Sequence, residues 1–174
     1  MQRTAVVSLV THALLGLGAS HLVMPANSAS ASTITHREQI VPMHARGTFE
    51  VQITPLPADE YADAASMGRM LLDKQFSGDM TGTAKGQMIT GMGSVKGSAA
   101  YSAIERVTGS VNGRSGTFLL QHTGIMHDGA QELSITIVPA SGTGELTGIA
   151  GTFALTIEGK VHRYDLTYTL PEQH

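Results

Sequence analysis

Cysteine is missing from all 174 residues. Its absence excludes disulfides, thiolate catalysis and cysteine-ligated zinc or iron–sulfur centres. Charged residues are scarce at 14%, and aromatics at 5%. Basic residues do not outnumber acidic ones, 11 against 14, and the net charge is −3. With no cationic surplus to neutralise phosphates, general nucleic-acid binding is not expected. No long amphipathic helix can be read after residue 31. What is present is 41% hydrophobic residues, enough for one packed core, and glycine at 20 positions. Disorder throughout is therefore excluded, and the length suits one domain.

The N-terminal stretch has its own character. Arg3 is the sole charge before Arg37, and 5–24 is mostly apolar, with Thr11, His12, Ser20 and His21 among the exceptions. Pro25 and a run of small residues follow, with Ala29-Ser30-Ala31 as an A-x-A cleavage pattern. We expect an export signal at 1–31, an N-terminal extension at 32–45 and a β-domain at 46–171. Localisation would be periplasmic or secreted, with no membrane span after cleavage. An exported chain without cysteine must rest its fold on packing and sheet closure.

From residue 46 onward the dominant signal is alternation with a period of two, which marks strands with one wet and one dry face. Phe49, Val51 and Ile53 alternate with Glu50, Gln52 and Thr54. Leu133, Ile135 and Ile137 do the same, as do Phe153, Leu155 and Ile157. Tyr164, Leu166, Tyr168 and Leu170 form the last such face. Eight strands are predicted, at 46–54, 68–77, 80–92, 95–109, 114–126, 131–139, 151–158 and 161–170, with one short helical turn at 58–66. Asn112-Gly113 is a strong hairpin signal, because both residues tolerate positive φ. Short connections imply antiparallel neighbours, so the expected fold is all-β, a closed eight-stranded antiparallel barrel rather than a sandwich. Glycines at 82, 86, 91, 93 and 97 suit the bends of a small barrel.

Several segments carry a family resemblance. They are 97–109, with Tyr101-Ser102-Ala103-Ile104-Glu105-Arg106 inside it, then Gly113-Arg114-Ser115-Gly116-Thr117-Phe118 and Gln121-His122-Thr123-Gly124. Ser134-Ile135-Thr136-Ile137-Val138-Pro139 and 141–146 continue the match. Gly47-Thr48-Phe49-Glu50-Val51 begins it, and Tyr164-Asp165 with Tyr168-Thr169-Leu170 closes it. The chain resembles a bacterial domain-of-unknown-function family whose fold is similar to the allene oxide cyclase barrel. The resemblance implies the eight-stranded barrel. It transfers no chemistry, because the catalytic motifs of the plant cyclases are not matched and fold alone does not carry function.

Candidate site residues follow from parity. Met70, Leu72 and Phe76 place Lys74 on the inward face of its strand. Glu105 shares a face with Tyr101, and His122 with Phe118 and Leu120. Pairing about Asn112-Gly113 sums to 225, which sets Glu105 opposite Leu120 and puts His122 on the diagonal. The candidate catalytic cluster is Glu105, His122 and Tyr164, since a buried carboxylate beside a histidine can be tuned for acid–base work. Tyr101, Gln121, Tyr168 and Lys74 are candidate ligand-binding residues. The alternative is that Glu105 and His122 satisfy one another inside a filled barrel. No metal site is expected: His122 and His127 are five apart and face opposite ways on one strand, and no zinc or calcium spacing occurs. No cofactor motif is present either; Gly142-Thr143-Gly144 reads as a turn. Three functions stay open: a barrel that binds a small hydrophobic molecule, a cyclase or isomerase acting on a fatty-acid-like or polyketide-like substrate, and a structural barrel. A homo-oligomer is compatible with each.

Overall fold

The alternating segments become eight antiparallel strands in the computed structural model, which describes residues 41–57, 60 and 66–171. They are β1 (Met43–Pro55), β2 (Met67–Gly78), β3 (Met80–Met92), β4 (Ala99–Val111), β5 (Arg114–His127), β6 (Ala130–Ile137), β7 (Ala150–Glu158) and β8 (Val161–Thr169). Each pairs with its neighbours in chain order, and β8 pairs back onto β1, so the sheet closes. Closure removes the free edges that would otherwise template association. The expected export signal, and the helical turn at 58–66 apart from positions 60 and 66, lie outside the described residues. β1 begins at Met43, so the barrel takes in the last residues of the expected extension.

Asn112 (φ +48°) and Gly113 (φ +82°) both adopt left-handed backbone, as a tight hairpin between β4 and β5 requires. The register across it is Glu105 opposite Leu120 and Ala103 opposite His122, as the pairing sum demands. β4 itself starts later than predicted. Residues 93–98 form a turn instead of strand, held by Gly93 N donating to Ser98 O (2.8 Å) and Ser98 N to Val95 O (3.0 Å). Gly97 sits at φ +87°, a conformation that ends a strand.

The 138–149 segment departs most from a plain meander. β6 stops at Ile137, and a one-turn 3-10 helix, η1 (Gly144–Leu146), occupies part of the connection to β7. This segment completes the edge of β5 that β6 leaves uncovered. Val138 N donates to Leu119 O and Thr143 N to Thr117 O. In return, Leu119 N donates to Ser141 Oγ, Thr117 N to Thr143 Oγ1 and Ser115 N to Glu145 Oε2. Leu146 and Ile149 are driven into the barrel end and fully buried.

The interior divides along the barrel axis. One half is filled by Met80, Val111, Phe118, Leu146, Ile149, Leu166 and Tyr168. An aromatic layer lies next to them: Phe76 meets Tyr164 edge-on at 5.7 Å, and Phe153 stacks on Tyr164 at 5.4 Å. Beyond that layer the other half of the barrel is open.

Candidate functional site

Three polar side chains form the floor of the open half. Lys74 comes from β2, Glu105 from β4 and His122 from β5. All three are buried, Glu105 completely. Lys74 Nζ donates to Glu105 Oε1 at 2.7 Å. His122 Nε2 lies 2.5 Å from the same oxygen, without hydrogen-bond alignment. Glu105 Oε2 is buried with no partner in the protein. Burial pushes the Glu105 carboxyl upward, but His122 and Lys74 outweigh it and hold the group below the usual carboxylate range. Glu105 is thus an anion at neutral pH, wedged behind two nitrogen side chains.

β2 and β4 are not neighbours; β3 runs between them. Lys74 and Glu105 meet because β3 is stripped down where they cross. Ala84 stands opposite Lys74, and Gly86 stands opposite Glu105. A Cβ at Gly86 would lie 2.9 Å from Glu105 Cγ and closer still to the β4 backbone. Glycine here makes room for the carboxylate.

Above this floor is a cavity of about 320 Å³. Its walls are mostly apolar: Val51, Leu72, Met88, Met126, Leu155 and Ile157, with Phe49, Thr90, Tyr101 and His162 among the remainder. Lys74 and His122 line it, whereas Glu105 lies behind them. Lys74 Nζ stands 4.9 Å from the Phe49 ring centroid, a favourable seat for a cation. His162 stacks on the same Phe49 ring, with centroids 5.1 Å apart.

The structure brings together Lys74, Glu105 and His122 and sets Tyr101 on the wall near them. The Tyr101 ring lies over Gly124, its partner across the hairpin, where a side chain would collide with it. Burial and then the Glu105 charge raise the Tyr101 hydroxyl above its ordinary range, so it stays protonated. Tyr164 does not join the cluster. Its hydroxyl accepts from Met80 N at 2.8 Å and donates towards Ser77 O at 3.2 Å, which ties it to the β2–β3 turn. Tyr168 belongs to the filled half and receives Asn112 Nδ2 at 2.9 Å. Gln121 is exposed on the outer face of β5, with the opposite parity to His122. His127 is exposed as well, on the face away from His122. Parity alone placed Lys74 inward, but its bond to Glu105 required knowing that β3 carries small residues there. Met88, Met126, Leu155 and His162 also line the cavity, and inward parity on their strands is the sequence signal that points to them.

Residues 45–168 match the family described as "Protein of unknown function (DUF3224)". A solved structure of a DUF3224 protein of unknown function from Shewanella oneidensis MR-1 is 43% identical. The likeness covers 76% of this chain and 100% of that one, with a TM-score of 0.70. No curated protein matches the sequence.

Proposed function

The chain belongs to the DUF3224 family, whose function is not known, and we propose that it binds a small apolar molecule in the open half of its barrel. The observation that carries this reading is the cavity of about 320 Å³ with apolar walls and a polar floor. Ligand sites have this composition: hydrophobic walls for affinity and a few placed polar groups for orientation. The floor is charge-balanced as Lys74 and Glu105 stand, so it suits a neutral acceptor, such as a carbonyl or hydroxyl oxygen, better than a second carboxylate. Lys74 Nζ offers that oxygen a donor beside the one it gives to Glu105. Export to the periplasm or beyond, as the Arg3-to-Ala31 segment suggests, would place such a carrier or sensor outside the cytoplasm.

The second reading is a cyclase or isomerase, favoured by a buried carboxylate and an imidazole at one end of an apolar chamber. In it His122, which lines the cavity, would move the proton, and Glu105 would hold His122 and Lys74 in place. The depressed Glu105 carboxyl is a poor base.

Titration with 1-aminoanthracene, whose fluorescence rises in apolar surroundings, tests the binding site. Saturable one-to-one binding is expected for the wild type and loss of binding for Met88→Trp, which fills the chamber. Binding that survives Met88→Trp with unchanged circular dichroism would place the dye elsewhere and remove the proposal. Native mass spectrometry of freshly purified protein would show a retained natural ligand.

A further inference from the structure

We propose that Lys74 condenses with aldehydes or ketones that enter the cavity and holds them as a protonated imine, with Glu105 as its counter-ion. The inference rests on the cavity being the ligand site and adds the chemical class of the occupant.

Four lysines occur in the chain, Lys74, Lys85, Lys96 and Lys160. Lys85, Lys96 and Lys160 are exposed, whereas Lys74 is buried and lines the cavity. A long flexible amine at the floor of an apolar chamber is the arrangement in which lysine acts as a nucleophile toward carbonyl carbon. An apolar carbonyl compound concentrated in the chamber would have its polar end at the floor, beside Nζ, and this proximity supplies much of the rate.

Charge decides why this floor suits that product. The ammonium of Lys74 is paired with Glu105 at 2.7 Å. Losing that cation would strand a fully buried carboxylate, which is costly. A protonated imine carries the same single positive charge on the same nitrogen, so the pairing with Glu105 is the same in product as in reactant, and while the proton is on His122 the cation still faces the same carboxylate oxygen. The cation seat over Phe49 persists with it.

The groups needed to move protons are adjacent. A proton leaves Nζ across the 2.7 Å bond to Glu105 Oε1 and, once the His122 ring turns into line, passes to Nε2, 2.5 Å from that oxygen. The freed nitrogen pair bonds to the carbonyl carbon, and the carbonyl π pair moves to oxygen. His122 returns its proton to that oxygen, giving a carbinolamine protonated on nitrogen, with the positive charge back beside Glu105. The nitrogen still holds two hydrogens. One of them is relayed to the hydroxyl through the same groups, the C–O bond breaks, and water departs as the C=N bond forms. The nitrogen keeps one hydrogen and the positive charge. The balance is ammonium plus carbonyl giving iminium plus water, with no oxidant or reductant. The charged and titratable groups facing this nitrogen are Glu105 and His122, with Tyr101 and His162 lining the same chamber.

The test uses the full chain, cinnamaldehyde as probe, and cyanoborohydride to trap imines as stable amines. Peptide mapping should place the label on Lys74 at least about ten times faster than on Lys85, Lys96 or Lys160. Saturating cinnamyl alcohol, which has the same shape and no carbonyl, should suppress labelling of Lys74 and leave the others unchanged. Lys74→Arg keeps the cation beside Glu105 and should abolish the fast label; if it does not fold, mapping of the wild type decides alone. Equal labelling of all four lysines, or labelling of Lys74 indifferent to the alcohol, would overturn the proposal. If cinnamyl alcohol displaces 1-aminoanthracene and no Lys74 adduct forms, the imine is refuted while the binding site stands. If neither probe enters the cavity, both readings fall.

Discussion

The two halves of the barrel interior are built from the same strands and behave as different materials. In the filled half, Phe118, Leu146 and Leu166 are fully excluded from water, and tyrosine hydroxyls are committed to backbone or Asn112. In the open half, residues of the same inward parity, such as Met88, Leu155 and Ile157, keep part of their surface exposed around a cavity. The boundary between them is the layer of Lys74, Glu105 and His122. The lesson is that inward parity fixes which side chains face the axis, while residue size at each level fixes whether they close it.

That contrast can be broken most severely in the filled half. Phe118→Ala should destabilise the protein by about 3–5 kcal/mol in urea unfolding, since a fully buried ring leaves a cavity behind. The boundary layer comes next. Glu105→Gln leaves the Lys74 ammonium without its counter-ion and should cost about 3 kcal/mol, whereas Lys74→Met with Glu105→Leu should be near neutral. Equal losses in the single and double variants would mean that packing, not charge, dominates this layer. Acid provides a second probe of the same group. The Glu105 carboxyl is depressed in the folded state, so in the acid range the unfolded chain binds more protons. Its contribution is complete above the ordinary glutamate value, about pH 4.3, and is lost as pH falls through the lower folded value. Glu105→Gln should flatten this part of the stability profile.

Smaller effects sharpen the comparison. Gly86→Ala would press a methyl against the β4 backbone and should cost about 2 kcal/mol. Gly124→Ala meets the Tyr101 ring, which can swing into the cavity, so its cost should be lower and its effect on dye binding larger. Met92→Ala, at the exposed rim, should change stability by no more than about 0.5 kcal/mol. A large loss there would show that the rim is packed after all.

Much of this architecture was legible from alternation and turn chemistry. Phe49, Leu72, Ile135, Phe153, Tyr164 and Leu166 are buried as parity required, while Leu133 and Leu155 are half-buried against the core. Asn112-Gly113 fixed a register that put Glu105 and His122 within reach. What alternation could not convey was depth along the axis. Tyr164 shares the inward face with His162 but sits one level deeper, where the β2–β3 turn claims its hydroxyl. Contacts that skip a strand were also hidden, because Lys74 reaches Glu105 only over Ala84 and Gly86 of β3. Gln121, a candidate ligand-binding residue, has the opposite parity to His122 and is exposed. The clamp of 138–149 on β5 depends on Ser141, Thr143 and Glu145 side chains meeting a strand edge, which no periodic pattern signals.

The same clamp changes how the barrel would open. Among the described residues, β6 and β7 are joined in register at a single pair, Thr136 with Thr152. β3, β4 and β5 are zipped along their whole length. A cylinder of strands with one loosely laced seam should breathe there first, because the free energy of local opening follows the contacts that must be given up. Amide protons along β6 and β7 should therefore trade with deuterium well before those of β4, and by a route that leaves the rest of the wall intact.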